Sequence, residues 1–213
     1  MPFRVLLNGS LLIAGSLMLL WAEPALAQPQ QPSVQTSNVK KSVPVPTTAT
    51  SSHRQAQKIS SSEIAHFYKV SDRLYRGGQP SSKGFQELKK LGITHIISLR
   101  SGSDDVKIQD TEKLTLKHIP VSVNPFKKPK EADVIQFLKA VTTASKQSVF
   151  VHCREGVDRT GLMIAAYRIV IDEWSREEAI TEMNSIGSHW YYQRFESYLR
   201  KLDVEKIKKQ INQ

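Results

Sequence analysis

The chain has 213 residues, 39% of them hydrophobic and 23% charged, with ten Gly, ten Pro and one Cys. That composition excludes collagen-like, coiled-coil and wholly disordered chains, and a single Cys excludes a disulfide framework and a cysteine-based structural zinc site. Lys and Arg outnumber Asp and Glu by 30 to 20, giving +10, but no recognition motif accompanies the charge and no nucleic-acid partner is expected.

In chain order, Arg4 precedes an apolar run from Leu11 to Ala22, and Ala25-Leu26-Ala27 supplies the small-x-small pattern of a signal-peptidase site. Residues 1–27 are therefore expected to be a signal peptide cut before Gln28, because the run is short for a span of about 20 residues. An exported protein follows, periplasmic or secreted, without stable membrane insertion after cleavage. Residues 28–62 are rich in Gln, Pro, Ser, Thr and Val, carry Lys40, Lys41, Arg54 and Lys58, and lack acidic residues. Such a stretch buries too little apolar surface to offset its ordering entropy and reads as a disordered linker.

Residues 63–213 form the expected domain. His66 to Tyr75 reads as a strand pair broken at Ser71-Asp72, and Gly77-Gly78-Gln79-Pro80 as a turn. Ser81 to Leu91 has helical spacing at Phe85, Leu88 and Leu91, ended by Gly92; Thr94 to Leu99 is β-branched strand. A strand from Leu116 to Val121 precedes a loop with Pro125, Lys127, Lys128 and Pro129, and Val134 to Ala144 is amphipathic helix. Ser148 to Val151 has the unbroken apolar character of a strand covered on both faces. Leu162 to Trp174, apolar nearly all round, predicts a buried helix. Ser175 with Glu178 predicts a capping box on the next, which stops at Gly187. A last helix is expected from about Trp190, with Arg200, Lys201, Lys206, Lys208 and Lys209 on its wet face. The alternation predicts an α/β fold, a mostly parallel central sheet with helices on both faces.

Between the central strand and the buried helix lies His152-Cys153-Arg154-Glu155-Gly156-Val157-Asp158-Arg159-Thr160-Gly161. The only Cys sits at the carboxyl end of a buried strand, where open sheets place ligands. A loop closing onto a helix N-terminus aims backbone N–H groups and the positive dipole end inward. Arg159 can grip two phosphate oxygens as a fork, and the positive surroundings favour Cys153 as the nucleophilic thiolate. Gly156 allows a tight turn close to the oxyanion.

These residues resemble the His-Cys-x5-Arg-[Ser/Thr]-Gly signature of the protein tyrosine phosphatase superfamily. Leu74-Tyr75-Arg76-Gly77-Gly78-Gln79-Pro80-Ser81, the stretch from Gly92-Ile93 to Arg100, and His118-Ile119-Pro120 are similar to its small dual-specificity branch, exported bacterial members above all. The resemblance covers about residues 66–200. It implies that Cys153 attacks phosphorus to form a thiophosphoryl enzyme, and that the loop from Cys153 through Arg154, Glu155, Gly156, Val157, Asp158 and Arg159 holds the phosphate. It further implies that Thr160 hydrogen-bonds the Cys153 sulfur and that His152 braces the loop. No metal or cofactor is implied, and a monomer acting on a phosphorylated protein is expected.

The branch's general acid, an Asp in the loop after the Ile-Pro strand, is missing: Val121-Ser122-Val123-Asn124-Pro125 offers only Asn124. Asp158, just before Arg159, becomes the expected acid, with pairing to Arg154 as its other reading. Asp104 and Asp105 are weaker candidates, read otherwise as a solvated turn. Two further readings stand beside the phosphatase. A rhodanese-type sulfur transferase would place its Arg one residue closer, in a smaller cradle, and a non-catalytic phosphate-binding module would not need Cys153, Arg159 and Thr160 together. Substrate is open among phosphotyrosine, phosphoserine or phosphothreonine, and inositide. The variable loop positions Arg154, Glu155, Val157 and Asp158 are net neutral where polyphosphoinositide-directed loops carry Lys, which favours phosphoprotein. His189, Tyr191 and Tyr192 either line the cleft or pack in the core.

One reactive thiol without a second Cys makes a testable consequence. Peroxide should inactivate the protein by oxidising Cys153, with no intramolecular disulfide to protect it, so recovery should require an added thiol. Cys153 unmodified by mass spectrometry after millimolar peroxide would contradict an activated thiolate.

Overall fold

The computed structural model describes residues 54–102, 105–111, 116–124, 126–189 and 193–213. The expectations for residues 1–27 and for most of 28–62 lie outside them. Six strands, β1 (Gln57–Lys58), β2 (Tyr68–Lys69), β3 (Leu74–Gly77), β4 (His95–Ser98), β5 (Lys117–Pro120) and β6 (Val149–His152), form one sheet in the order β1-β2-β3-β6-β4-β5. The first three pair antiparallel, while β3, β6, β4 and β5 run parallel. Strand β6 is buried along its whole length, as its apolar run requires of a strand with neighbours on both sides and layers on both faces.

Helix α1 (Ser82–Lys90) is capped by the Ser81 hydroxyl, which accepts from the Gly84 N–H. Phe85 and Leu88 of α1 pack with Ile64, Phe67, Ile93, Ile96 and Phe150 to close one face of the sheet. The other face carries the larger core, with Val134, Phe137 and Leu138 of α3 (Glu131–Thr143) against α4 (Asp158–Val170). Helix α5 (Arg176–Ile186) starts at the expected Ser175–Glu178 capping box, with both reciprocal hydrogen bonds present. No described helix is long and apolar enough to cross a membrane.

Four elements depart from the sequence reading. The edge of the domain lies before residue 63: β1 adds to β2, and the Ala56 N–H donates to Glu182, 126 residues away. A polar two-residue edge strand has no apolar period to announce it. A short helix α2 (Asp105–Thr111) occupies the stretch read as a solvated turn. The buried helix begins at Asp158, inside the loop sequence, and ends at Val170 rather than Trp174. The terminal helix is two, α6 (Gln193–Arg200) and α7 (Val204–Ile211), the second capped by Asp203.

Beneath α4 and α5 the Arg168 guanidinium, 3% exposed, is bonded by both Glu182 oxygens at 2.9 and 3.0 Å and lies 4.2 Å from the Trp174 ring centroid. Removing Glu182 leaves the buried guanidinium with Asp172 as its one hydrogen-bonded carboxylate among the described residues. Glu182→Ala should therefore cost about 3–5 kcal/mol in urea unfolding and expose residues 54–58 to protease. A loss under about 1 kcal/mol would mean that water already screens the pair.

Candidate active site

Strand β6 ends at His152 and α4 begins at Asp158, so the loop Cys153 to Val157 spans the carboxyl edge of the sheet. Its carbonyls are met one after another from outside. Cys153 O accepts from His152 Nδ1, Arg154 O from the Gln79 N–H, Glu155 O from His66 Nδ1 and Gly156 O from Arg76 Nη2. Val157 O accepts from the Gly161 N–H of α4 and, at 3.4 Å, from Arg76. In a planar trans peptide the C=O of one residue and the N–H of the next point in opposite directions. Five carbonyls turned out therefore turn the amides of residues 154–158 in, toward the interior of the loop.

Gly156 makes that path possible. Its φ is +81°, and a Cβ there would come within 2.3 Å of Gly78 N and 2.4 Å of Gly77 C, so a side chain is excluded by both strain and contact. Its N–H donates to Cys153 Sγ at 3.2 Å. Cys153 is 3% exposed, at the floor of the cradle. Arg159, one residue into α4, is held by Nη1 to Leu99 O at 3.2 Å. Thr160 is fully buried and its hydroxyl reaches Gly77 O at 3.5 Å, so the donor found at the sulfur is the Gly156 amide rather than the expected Thr160.

His152, expected to brace the loop, meets it at Cys153 O. Its Nδ1 serves Cys153 O, while Nε2 lies 3.0 Å from Asp105 Oδ2, an arrangement that a ring donating from both nitrogens completes. Asp105 is neither a solvated turn nor an available acid. It is buried beneath α2 and bonded by His118, His152 and Gln79, the last of these bonded in turn by Arg100. Burial alone would raise its pKa, but the hydrogen bonds from His118 and His152 and the His152 charge overcome it and hold the carboxyl well below the usual range. Asp104 lies outside the described residues, as do Tyr191 and Tyr192.

Asp158, the expected proton donor, has both carboxylate oxygens engaged. Its carboxylate accepts from the His189 N–H at 3.0 Å and from His189 Nδ1 at 2.7 Å, which ties the start of α4 to the segment after α5 rather than to Arg154. The hydrogen bond with Asp158 raises the His189 pKa. Beside Arg159 opens a cleft of about 460 Å³ whose charged lining is Arg100, Lys127, Lys128, Lys130, Arg159 and one carboxylate, Asp133. Asn124 lines the same cleft, and Phe126 stands at it 81% exposed. Burial raises the Asp133 pKa, against the pull of Lys130.

Sequence reasoning missed Arg76 and Asp133 as parts of this site, and it offered Asp105 only as a weaker acid candidate, not as the partner of His152. For Arg76 a signal existed: an Arg in a strand whose neighbours on both sides pack inward needs an internal acceptor.

A family profile described as "DSP-PTPase phosphatase fused to NAD+ Kinase" matches residues 44–198. The chain is 28% identical over 169 residues to the dual specificity protein phosphatase TpbA of Pseudomonas aeruginosa, covering 76% of this chain and 73% of that protein. It is 23% identical over 150 residues to the inositol diphosphatase DSP3 of Arabidopsis thaliana, covering 68% and 73%. The crystal structure of P. aeruginosa TpbA aligns with a TM-score of 0.65 at 24% identity over 75% of this chain and 97% of that one. The core catalytic domain of the PP-IP phosphatase SIW14 from S. cerevisiae aligns with a TM-score of 0.60 at 19% identity, over 69% and 91%. These two structures share the fold with it.

The Asp105 network carries a pH signature. An aspartate whose pKa is depressed by folding contributes stability above its unfolded value, near 4, and loses that contribution as pH falls toward the folded value. Asp105→Asn should cost about 2–3 kcal/mol at pH 7, and the gap to wild type should close as unfolding is measured below about pH 4. A pH-independent gap would remove the carboxylate from the account.

Proposed function

Because the chain belongs to the DSP-PTPase family, a small dual-specificity branch of the protein tyrosine phosphatase superfamily, we propose that it hydrolyses phosphomonoesters through a covalent intermediate on Cys153, with protein phosphotyrosine as substrate. The observation that carries the mechanism is the run of five outward carbonyls, which leaves an inward ring of amides over a buried thiol and beside Arg159. In this reading Cys153 attacks phosphorus, the ester oxygen departs, and water hydrolyses the thiophosphoryl enzyme to phosphate. The amides and the Arg159 fork hold the equatorial oxygens through both steps. Thiolate and guanidinium together supply what a metal would, so no ion takes part.

The leaving group points to tyrosine over serine. Asn124 donates no proton of suitable acidity, Asp158 is bonded to His189 and Asp105 is buried. A phenol of pKa about 10 leaves without full protonation, whereas a serine alkoxide does not. A second reading has its own observation: five cations against one carboxylate line the cleft beside Arg159, a surface suited to an inositol phosphate with further phosphate groups. That chemistry is named for relatives such as DSP3, and it would make the Lys127 and Lys128 side chains substrate contacts. The leader-like residues 1–27 support action outside the cytoplasm.

The test is a panel of phosphotyrosine and phosphoserine peptides, inositol polyphosphates and p-nitrophenyl phosphate. Phosphotyrosine peptides should turn over fastest, with EDTA without effect and vanadate inhibitory. Cys153→Ser should abolish activity, and Arg159→Lys should lose about 10²–10³-fold, the scale of removing an oxyanion donor. Asp158→Asn should slow aryl and peptide substrates alike, since its carboxylate anchors the loop. Turnover confined to inositol phosphates and lost in a Lys127→Ala/Lys128→Ala chain would favour the second reading. EDTA inactivation reversed by zinc or magnesium would overturn both.

A further inference from the structure

Arg76 lies in β3 with no exposed surface. Its Nη2 donates to Gly156 O at 2.7 Å and to Val157 O at 3.4 Å, behind the two residues where the loop turns into α4. Its Nε and Nη1 meet no acceptor, so among the described residues no carboxylate is hydrogen-bonded to it. The contrast with Arg168 is instructive: that buried guanidinium is bonded by Glu182 and Asp172. Burial brings the Arg76 pKa down to about 10, with Glu182 and Cys153 drawing it back up, and it remains a cation at neutral pH. A buried cation without a hydrogen-bonded carboxylate is costly, and its nearest use is the anion site on the far side of the same peptides.

We propose that Arg76 is a positioning residue for phosphate transfer, holding the Gly156 and Val157 carbonyls outward and lending its unneutralised charge to the thiolate and the bound phosphate. The inference rests on reading the Cys153 loop as the phosphate site. Two physical tasks are combined and can be separated. The hydrogen bonds fix peptide orientation, and through it the direction of the Val157 and Asp158 amides. The charge acts through a low-dielectric interior on whatever anion the loop holds, and the attraction between Arg76 and the Cys153 sulfur is mutual. Lys keeps the charge and loses the two-carbonyl reach; Met keeps the length and loses both.

The experiment compares full-length wild type with Arg76→Lys and Arg76→Met, using p-nitrophenyl phosphate as substrate and vanadate as the anion probe, with urea unfolding as the control. Arg76→Met should weaken vanadate binding about 10- to 100-fold, the range for losing a hydrogen bond to a charged group. It should also move the acidic limb of the kcat/KM profile to higher pH. Arg76→Lys should lose about tenfold in vanadate affinity while keeping the limb near its wild-type position. A purely structural arginine would lower the urea midpoint and leave vanadate affinity and the pH limb of the folded fraction unchanged, which would overturn the proposal. If Arg76→Met does not fold, the Arg76→Lys pattern decides alone, and wild-type vanadate affinity in that variant refutes it. Wild type that neither turns over the substrate nor binds vanadate would sink the phosphatase reading instead, before any variant is compared.

Discussion

A peptide plane that presents its N–H to a bound anion presents its C=O to the other side, and in a protein that other side is the interior. The loop after β6 repeats this five times, and each repetition creates a carbonyl that must find a donor without help from bulk water. For the first four the donors are the adjoining imidazole of His152, the Gln79 amide, the His66 ring and Arg76 Nη2, and Val157 O takes the Gly161 N–H of α4. Three of these belong to the segment that surrounds β3, which pairs directly with β6. Gly77 and Gly78 then bring that segment's backbone close enough that only Gly156 fits above it.

The polar layer under the loop is built from charges held by partners distant in sequence. His152 is one residue from Cys153, yet its Nε2 is satisfied by Asp105, 47 residues away on α2. Asp105 also gathers His118 from β5 and Gln79 from the turn after β3, so one carboxylate ties three sheet-edge segments together. Burying it is tolerable because it accepts several hydrogen bonds, and a half-satisfied network would be worse than an apolar one. Through Gln79 the same network reaches Arg100, at the rim of the basic cleft. Rigidity at the sulfur and the orientation of a cleft cation thus share one support.

What could be read from the sequence follows from how local each signal is. The β6 run, the loop and its helix occupy adjacent residues, so apolar continuity, Cys-to-Arg spacing and Gly156 are visible together, and Cys153 and Arg159 stand where they were expected. The Ser175 cap is likewise legible because its partner Glu178 lies three residues on. Asp105 was read as surface because its partners at 79, 118 and 152 are joined only by the fold. The β1 strand escaped for a different reason: at a sheet edge, pairing is made by backbone, and Gln57–Lys58 has no side-chain period to reveal it. Asp158 shows the limit of motif reasoning. Its position next to Arg159 suggested an acid, but the side chain leaves the first turn of α4 toward His189, a direction that no spacing rule contains.

That direction bears on how the site divides its work. An enzyme that protonates its leaving group must keep a carboxyl neutral near the reacting oxygen, in surroundings that also hold a phosphate by positive charge. Those two demands conflict, because cations that bind the phosphate also pull carboxyl pKa values down. Here the described cleft carries Arg100, Lys127, Lys128, Lys130 and Arg159, and the position open to an acid is Asn124. Asp133 is the carboxylate that shares this lining, and burial pushes its pKa up against the pull of Lys130. On the proposed reading, a cleft so arranged would favour departure of an anion that is stable as an anion, a phenolate or a phosphate, over one that must first acquire a proton. In the proposed phosphatase reading, the cations that would hold the phosphate and the absence of a carboxyl at Asn124 are two sides of one constraint, and both favour a leaving group of low basicity.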